Sequence, residues 1–113
     1  MGVLSGKYGD AALPAGSRLD EYERYRRAYS DPGLLAFANR YAALAREAGL
    51  EPAAMAFAWV RTRAEVSSLI SSATRAEQLE LLLASADLQL SPDLLKKIEE
   101  IRAEFEPAWS RQF

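Results

Sequence analysis

The sequence predicts an α/β chain that is largely helical when considered alone, with too few strands to make a complete sheet. Three observations carry this. Helix-start signals recur at Asp31-Pro32, Glu51-Pro52 and Ser91-Pro92. Apolar residues between them repeat every three or four positions. Only the stretch Val66 to Ser71, together with the first residues of the chain, has the short β-branched character of a strand.

Taken in order, residues 1–5 (Met-Gly-Val-Leu-Ser) read as the tail of a short strand, and Gly6 to Arg18 as a loop rich in Gly, Ala and Pro. That loop exceeds the common length of about 4 to 6 residues, and long ordered loops are often functional. Leu19 to Tyr29 is charged and aromatic, a short helix or an irregular turn. At Asp31-Pro32 a carboxylate is placed to accept a first-turn amide proton, and the proline loses no needed donor. Leu34, Ala38, Tyr41 and Ala45 then mark one helical face, and Gly49 provides a left-handed stop. The next helix, opening at Pro52, has Met55, Ala56, Phe57, Ala58, Trp59 and Val60 in succession. A helix apolar on every side must be buried on most of them, so it needs partner surface. Trp59, Phe57 and Met55 are accordingly read as core.

After the expected strand at Val66–Ser71, Thr74 and Glu77 have the spacing of a capping box for a helix to about Ala84. Leu94, Ile98, Ile101 and Phe105 line the last helix, which Pro107 is expected to end. The βαβ alternation is that of a parallel sheet, yet two strands make a poor one. The pattern points to further elements outside these residues.

Composition narrows the function. With 14 basic and 16 acidic residues and a formal charge of -2, no stretch forms a stripe of one sign that would track a phosphate backbone. Glu21 to Arg27 interleaves aromatic and basic side chains, but its acids make it a solvated, mixed-charge segment rather than a base-stacking surface. Nucleic acid is not expected as a partner. No apolar run reaches the span of a bilayer, and the first ten residues carry no signal core, so no membrane association is expected. There is no cysteine, which removes disulfides and thiolate metal sites and fits a reducing cytoplasm. There is also no histidine. Nucleophile systems that need an imidazole base are thereby excluded, and no metal site is expected.

Met1-Gly2-Val3-Leu4-Ser5-Gly6-Lys7-Tyr8, followed by Pro14-Ala15-Gly16-Ser17-Arg18, resembles the segment after barrel strand seven of the aldo-keto reductases. Ala54 to Val60 is similar to that family's helix seven. Val66 to Thr74, with Glu77-Gln78-Leu79, is similar to strand eight and the opening of helix eight, and Leu88 to Ile101 to the C-terminal helix. The resemblance runs through essentially the whole chain, in order.

The resemblance implies the C-terminal segment of a (β/α)8 TIM barrel, from the end of strand seven to the final helices. Residues 1–18 would be the strand-seven end and cofactor loop, 31–64 the helix-seven region, 66–84 strand eight with helix eight, and 91–106 the C-terminal helix. It implies NADP(H) as cofactor and hydride transfer between it and a carbonyl or alcohol. Phosphates in such barrels are held by the loops after strands seven and eight. By position, Gly2, Ser5 and Lys7 would lie along the pyrophosphate, with Arg18 closing over it. Ser72, Thr74 and Gln78 would face the adenosine ribose and its 2′-phosphate, with Arg75 nearby. Taken alone, Gly6-Lys7 is a weak signal, and Thr74 serves equally as a helix cap.

Two positions depart from the family pattern: Ser72 stands where Gly is usual, and Leu82 stands where Asn is usual and cannot hydrogen-bond adenine. The family's catalytic Asp, Tyr, Lys and His lie on earlier strands, so the resemblance implies no catalytic residue here, and the adjacent Lys7 and Tyr8 are not that pair. The expectation is a cofactor-binding portion, inactive alone. Its partners would be the dinucleotide and either the remaining part of the barrel or a second copy. The alternative is a non-catalytic helical interaction module derived from the same fold.

Overall fold

In the computed structural model, residues 2–9, 13–29 and 31–109 are described, the last four by their backbone only. The order begins with a 3-10 turn at Val3–Ser5, then α1 (Arg18–Glu21) and α2 (Glu23–Tyr29). The longer helices follow as α3 (Pro32–Glu47), α4 (Pro52–Arg61) and α5 (Ala76–Ala84). A second 3-10 turn at Ser85–Asp87 leads into α6 (Pro92–Trp109).

The start signals act as the chemistry requires. The Asp31 carboxylate accepts from the Leu34 amide at 3.0 Å, and the Ser91 hydroxyl accepts from Leu94 at 3.2 Å. Gly49 takes φ 71, the left-handed conformation that ends α3. The expected face of α3 is inside: Leu34, Ala38, Tyr41 and Ala45 are all buried, as are Leu94, Ile98 and Ile101 of α6. These two helices pack on each other, with the rings of Phe37 and Phe105 edge to face at 5.8 Å. Tyr41 reaches so deep that its hydroxyl has no partner among the described residues, and burial pushes its phenol well above the ordinary range. An ion pair between Arg40 and Glu104 ties the same two helices at the surface.

The segment before α3 is held to this core from several directions. Leu19 is fully buried, and Arg26 of α2 donates from Nε to its carbonyl at 2.9 Å. Asn39 donates to the Gly9 carbonyl at 2.9 Å, anchoring the loop to α3. The stretch Leu19–Tyr29, expected as a short helix or an irregular turn, is helical and falls in two short helices, α1 and α2.

On the other side, α4 is clamped to α6 through one carboxylate. Glu99 accepts from Trp59 Nε1 at 3.2 Å and from Arg102 at 2.9 Å, and it pairs with Arg63, whose guanidinium lies 4.0 Å from the centroid of the Trp59 ring. Burial acts to raise the Glu99 carboxyl. The hydrogen bonds from Arg63, Arg102 and Trp59 and the Arg63 charge outweigh that, leaving it below its ordinary value. The apolar helix α4 is covered less completely than its sequence demands. Ala54, Met55 and Ala58 are buried, whereas Phe57, Trp59 and Val60 remain half-buried.

Four expectations are corrected. No strand is present among the described residues. Residues 66–73 lie outside any helix or ladder, because a strand needs a neighbour for its backbone groups and none is offered. In place of a strand tail, Val3–Ser5 is a 3-10 turn, bounded by Gly2 at φ 75 and Gly6 at φ 76, which bend the chain as a strand cannot. At α5 the N-cap is Arg75, with no side-chain cap, and Gln78 rather than Glu77 turns back toward Thr74. Finally, α6 runs past Pro107 to Trp109. So close to the helix end, the proline forfeits only one backbone bond.

The structure also relocates the uncovered apolar surface. None of the α5 residues is buried, Leu79 and Leu83 are exposed, and Ile70 is 95% exposed. No helix of the described residues is long and apolar enough to cross a membrane.

Candidate cofactor site

The site builds from the first 3-10 turn. Glycines at both ends adopt positive φ, which lets the chain reverse around Val3–Ser5. The Ser5 amide and hydroxyl both donate to the Gly2 carbonyl, at 3.1 and 2.6 Å, so the turn is locked by its own serine. An incoming anion would receive that hydroxyl only after it rotates away from Gly2. The side chain of Lys7 folds back over Gly2: a Cβ built there would lie 3.4 Å from Cε and 3.5 Å from Nζ. The ammonium also stands 4.9 Å from the centroid of the Tyr8 ring. Tyr8 itself is buried beneath the turn, which gives Lys7 a fixed base.

Gly2, Ser5 and Lys7 are thus brought together. The turn packs on α3 and α4, so its position depends on the same core that buries Val3. Gly6 sits where these helices converge, and a methyl there would meet Arg46 Nη2 at 3.0 Å, Ala42 Cβ at 3.3 Å and Pro52 Cγ at 3.3 Å. Arg46 belongs to the last turn of α3. Sequence reasoning missed it, since a basic residue ahead of a helix-ending glycine ordinarily interacts with the terminal carbonyls. Only the packing of α3 on the turn shows its side chain at the glycine.

The second group lies at the start of α5. The Oε1 atom of Gln78 accepts from the Thr74 amide at 2.9 Å and from the Thr74 hydroxyl at 3.2 Å, drawing these two residues together. Ser72, Thr74, Arg75 and Gln78 are all exposed, and Leu82 is half-buried. Arg18 is exposed at the start of α1. Helix α4 contacts both the first turn and α5, and so connects the two groups.

The chemistry of the donors fits a dinucleotide phosphate better than a metal. One group offers an ammonium ion over Gly2, and the other offers the exposed Ser72 hydroxyl and Arg75 beside the N-terminus of α5, the Thr74 donors being engaged by Gln78. Among the described residues there is no group of three acidic side chains placed to hold a metal ion.

With this geometry in hand, comparison with known proteins defines the class. The Aldo/keto reductase family profile matches residues 1–103. The chain belongs to this family, a family of oxidoreductases whose fold is a (β/α)8 barrel. It is 40% identical over 101 residues to Protein tas of Escherichia coli strain K12, covering 89% of this chain and 29% of that protein. It is 34% identical over 104 residues to a probable voltage-gated potassium channel subunit beta of Arabidopsis thaliana, covering 88% and 32%. A putative voltage-gated potassium channel subunit beta of Schizosaccharomyces pombe is 31% identical over 106 residues, covering 88% and 30%. The chain spans about three tenths of the length of the curated relatives it matches.

Proposed function

We propose that this chain supplies the C-terminal, cofactor-facing part of an NADP(H)-dependent aldo-keto reductase and carries no catalytic residue of its own. The observation that carries the reading is the Gly2–Lys7 turn. Its two positive-φ glycines bend the backbone tightly and its lysine ammonium lies over one of them, which suits an anion, in a chain matched by the family from its first residue. When bound, NADP(H) supplies the hydride chemistry. The residues of this chain hold and orient it: Lys7 neutralises the pyrophosphate, Ser5 turns its hydroxyl toward it, and Arg18 closes over it. Ser72, Thr74 and Gln78 address the ribose and 2′-phosphate. Leu82 leaves the adenine edge without a hydrogen bond, so affinity rests on phosphates. In this reading Val66–Ser71 is the segment of the eighth barrel strand, lacking its neighbours. The reducing cytoplasm is the compartment where such a cofactor and a cysteine-free chain belong.

Two titrations test this. Nicotinamide fluorescence should show saturable binding of NADPH that is tighter than binding of NADH, because only NADPH carries the 2′-phosphate. Incubation of the same chain with NADPH and an aldehyde or ketone panel should leave NADPH unconsumed. Sustained oxidation tied to carbonyl reduction would sink the non-catalytic part of the reading, and absence of binding would sink the cofactor part.

A second reading is favoured by the exposure of Ile70, Leu79 and Leu83. In it the chain is a non-catalytic interaction module whose α5 face meets another copy or the rest of a barrel. A stable dimer insensitive to NADPH would support it.

A further inference from the structure

The residue on which the candidate site converges without any assignment is Arg46. It lies on a different element from Lys7, yet its Nη2 atom is 3.0 Å from the point where a Gly6 side chain would begin. The absence of a Cβ at Gly6 is therefore what lets the guanidinium lie against the turn. On the opposite end of that turn, Lys7 occupies the equivalent space above Gly2. One cation from the loop and one from α3 thus flank a single 3-10 turn.

A purely structural role would leave a signature. As a basic residue in the last turn of α3, Arg46 interacts favourably with the helix dipole, but that needs no approach to Gly6. Its side chain is exposed, and no hydrogen bond or ion pair engages its guanidinium among the described residues. Arg40, Arg61 and Arg63 of the same core each have a carboxylate or carbonyl partner. Arg46 lies with one Nη against the turn beside the buried Ala42 and Pro52, and its unengaged donors on the exposed side, with Lys7 on the same turn, are complementary to a multiply charged oxyanion.

We infer that Arg46 is a second cationic residue of the phosphate-facing turn, binding the pyrophosphate of a nicotinamide dinucleotide from the side opposite Lys7. The inference rests on the reading of that turn as the pyrophosphate site. It gives α3 a binding role, and it ties the site to the α3–α4 junction.

The test uses the full 113-residue chain and two probes, NADPH and inorganic pyrophosphate, with affinities measured calorimetrically and unliganded melts recorded for every variant. Arg46→Gln is expected to weaken both probes by about tenfold, the scale of a lost charged hydrogen bond, with an unliganded melt close to the parent's. Arg46→Lys is expected to recover part of that, since it restores the charge without the fork. Lys7→Gln provides the comparison. Loss of affinity in Lys7→Gln with none in Arg46→Gln would overturn the role of Arg46 and leave the turn as the site. Weakening of NADPH but not of pyrophosphate would also overturn it, by placing Arg46 elsewhere on the cofactor. Failure of the parent chain to bind either probe would overturn both readings. If Arg46→Gln does not fold, Arg46→Lys decides: affinity equal to the parent's contradicts a bidentate contact.

Discussion

Gly6 concentrates the local physics of the molecule. Its φ of 76 lies in the region that costs an L-residue about 1–2 kcal/mol, and a methyl group would press on Arg46, Ala42 and Pro52. Gly6→Ala should therefore lower the melting temperature by roughly 4 to 16 °C, taking about 4–8 °C per kcal/mol for a domain of this size. An unchanged melt would mean that the turn relaxes freely. Glu99 gives a second residue-scale test. Its carboxyl lies below the ordinary value, so its partners stabilise the fold fully above the unfolded value of about 4.3 and progressively less as pH falls through the lower folded value. The melting temperature should drop on acidification below about pH 4.3, and Glu99→Gln should flatten that part of the profile. Persistence of the same acid slope in the variant would assign it to other carboxylates. The Asp31 cap and the Gly49 stop could be read directly from the sequence, because each acts on its immediate neighbours. The donors gathered at Glu99 could not, because Trp59 and Arg63 reach its carboxylate from a distant part of the chain.

At the scale of elements, α3 and α6 were legible because their apolar periodicity encodes a buried face, and Tyr41 and Ile98 occupy it as expected. The strand at Val66–Ser71 was not a property of those residues alone, since β structure is a relation between segments and this one finds no partner among the described residues. The same missing neighbour explains α5. Its leucines have helical spacing, but Leu79 and Leu83 face solvent and no residue of the helix is buried. Exposed large apolar side chains tend to seek a partner. Ile70→Thr combined with Leu83→Gln should accordingly reduce concentration-dependent association and the fluorescence of a hydrophobic dye, measured by light scattering and dye binding, with little change in the melt. A large loss of thermal stability instead would show that this face is packed within the chain.

For the whole molecule, membership of the aldo/keto reductase family was legible because its blocks fall in order along the chain, and the profile match over residues 1–103 shows it. The turn half of the candidate site was also legible as a group, since Gly2, Ser5 and Lys7 are close in sequence and come together in space. Arg46 was not, because it reaches Gly6 only through the packing of α3. The proposed site makes a demand that the fold alone does not. A chain that spans about three tenths of its curated relatives must keep its two phosphate-facing groups preorganised through α4. The most direct test is a thermal melt of the 113-residue chain, followed by tryptophan fluorescence and light scattering, with and without excess NADPH. A cooperative transition that shifts upward with NADPH and less with NADH is expected, because a ligand selective for the folded state stabilises it. A transition that is broad and indifferent to both nucleotides would contradict the claim that these residues form a cofactor site in this chain.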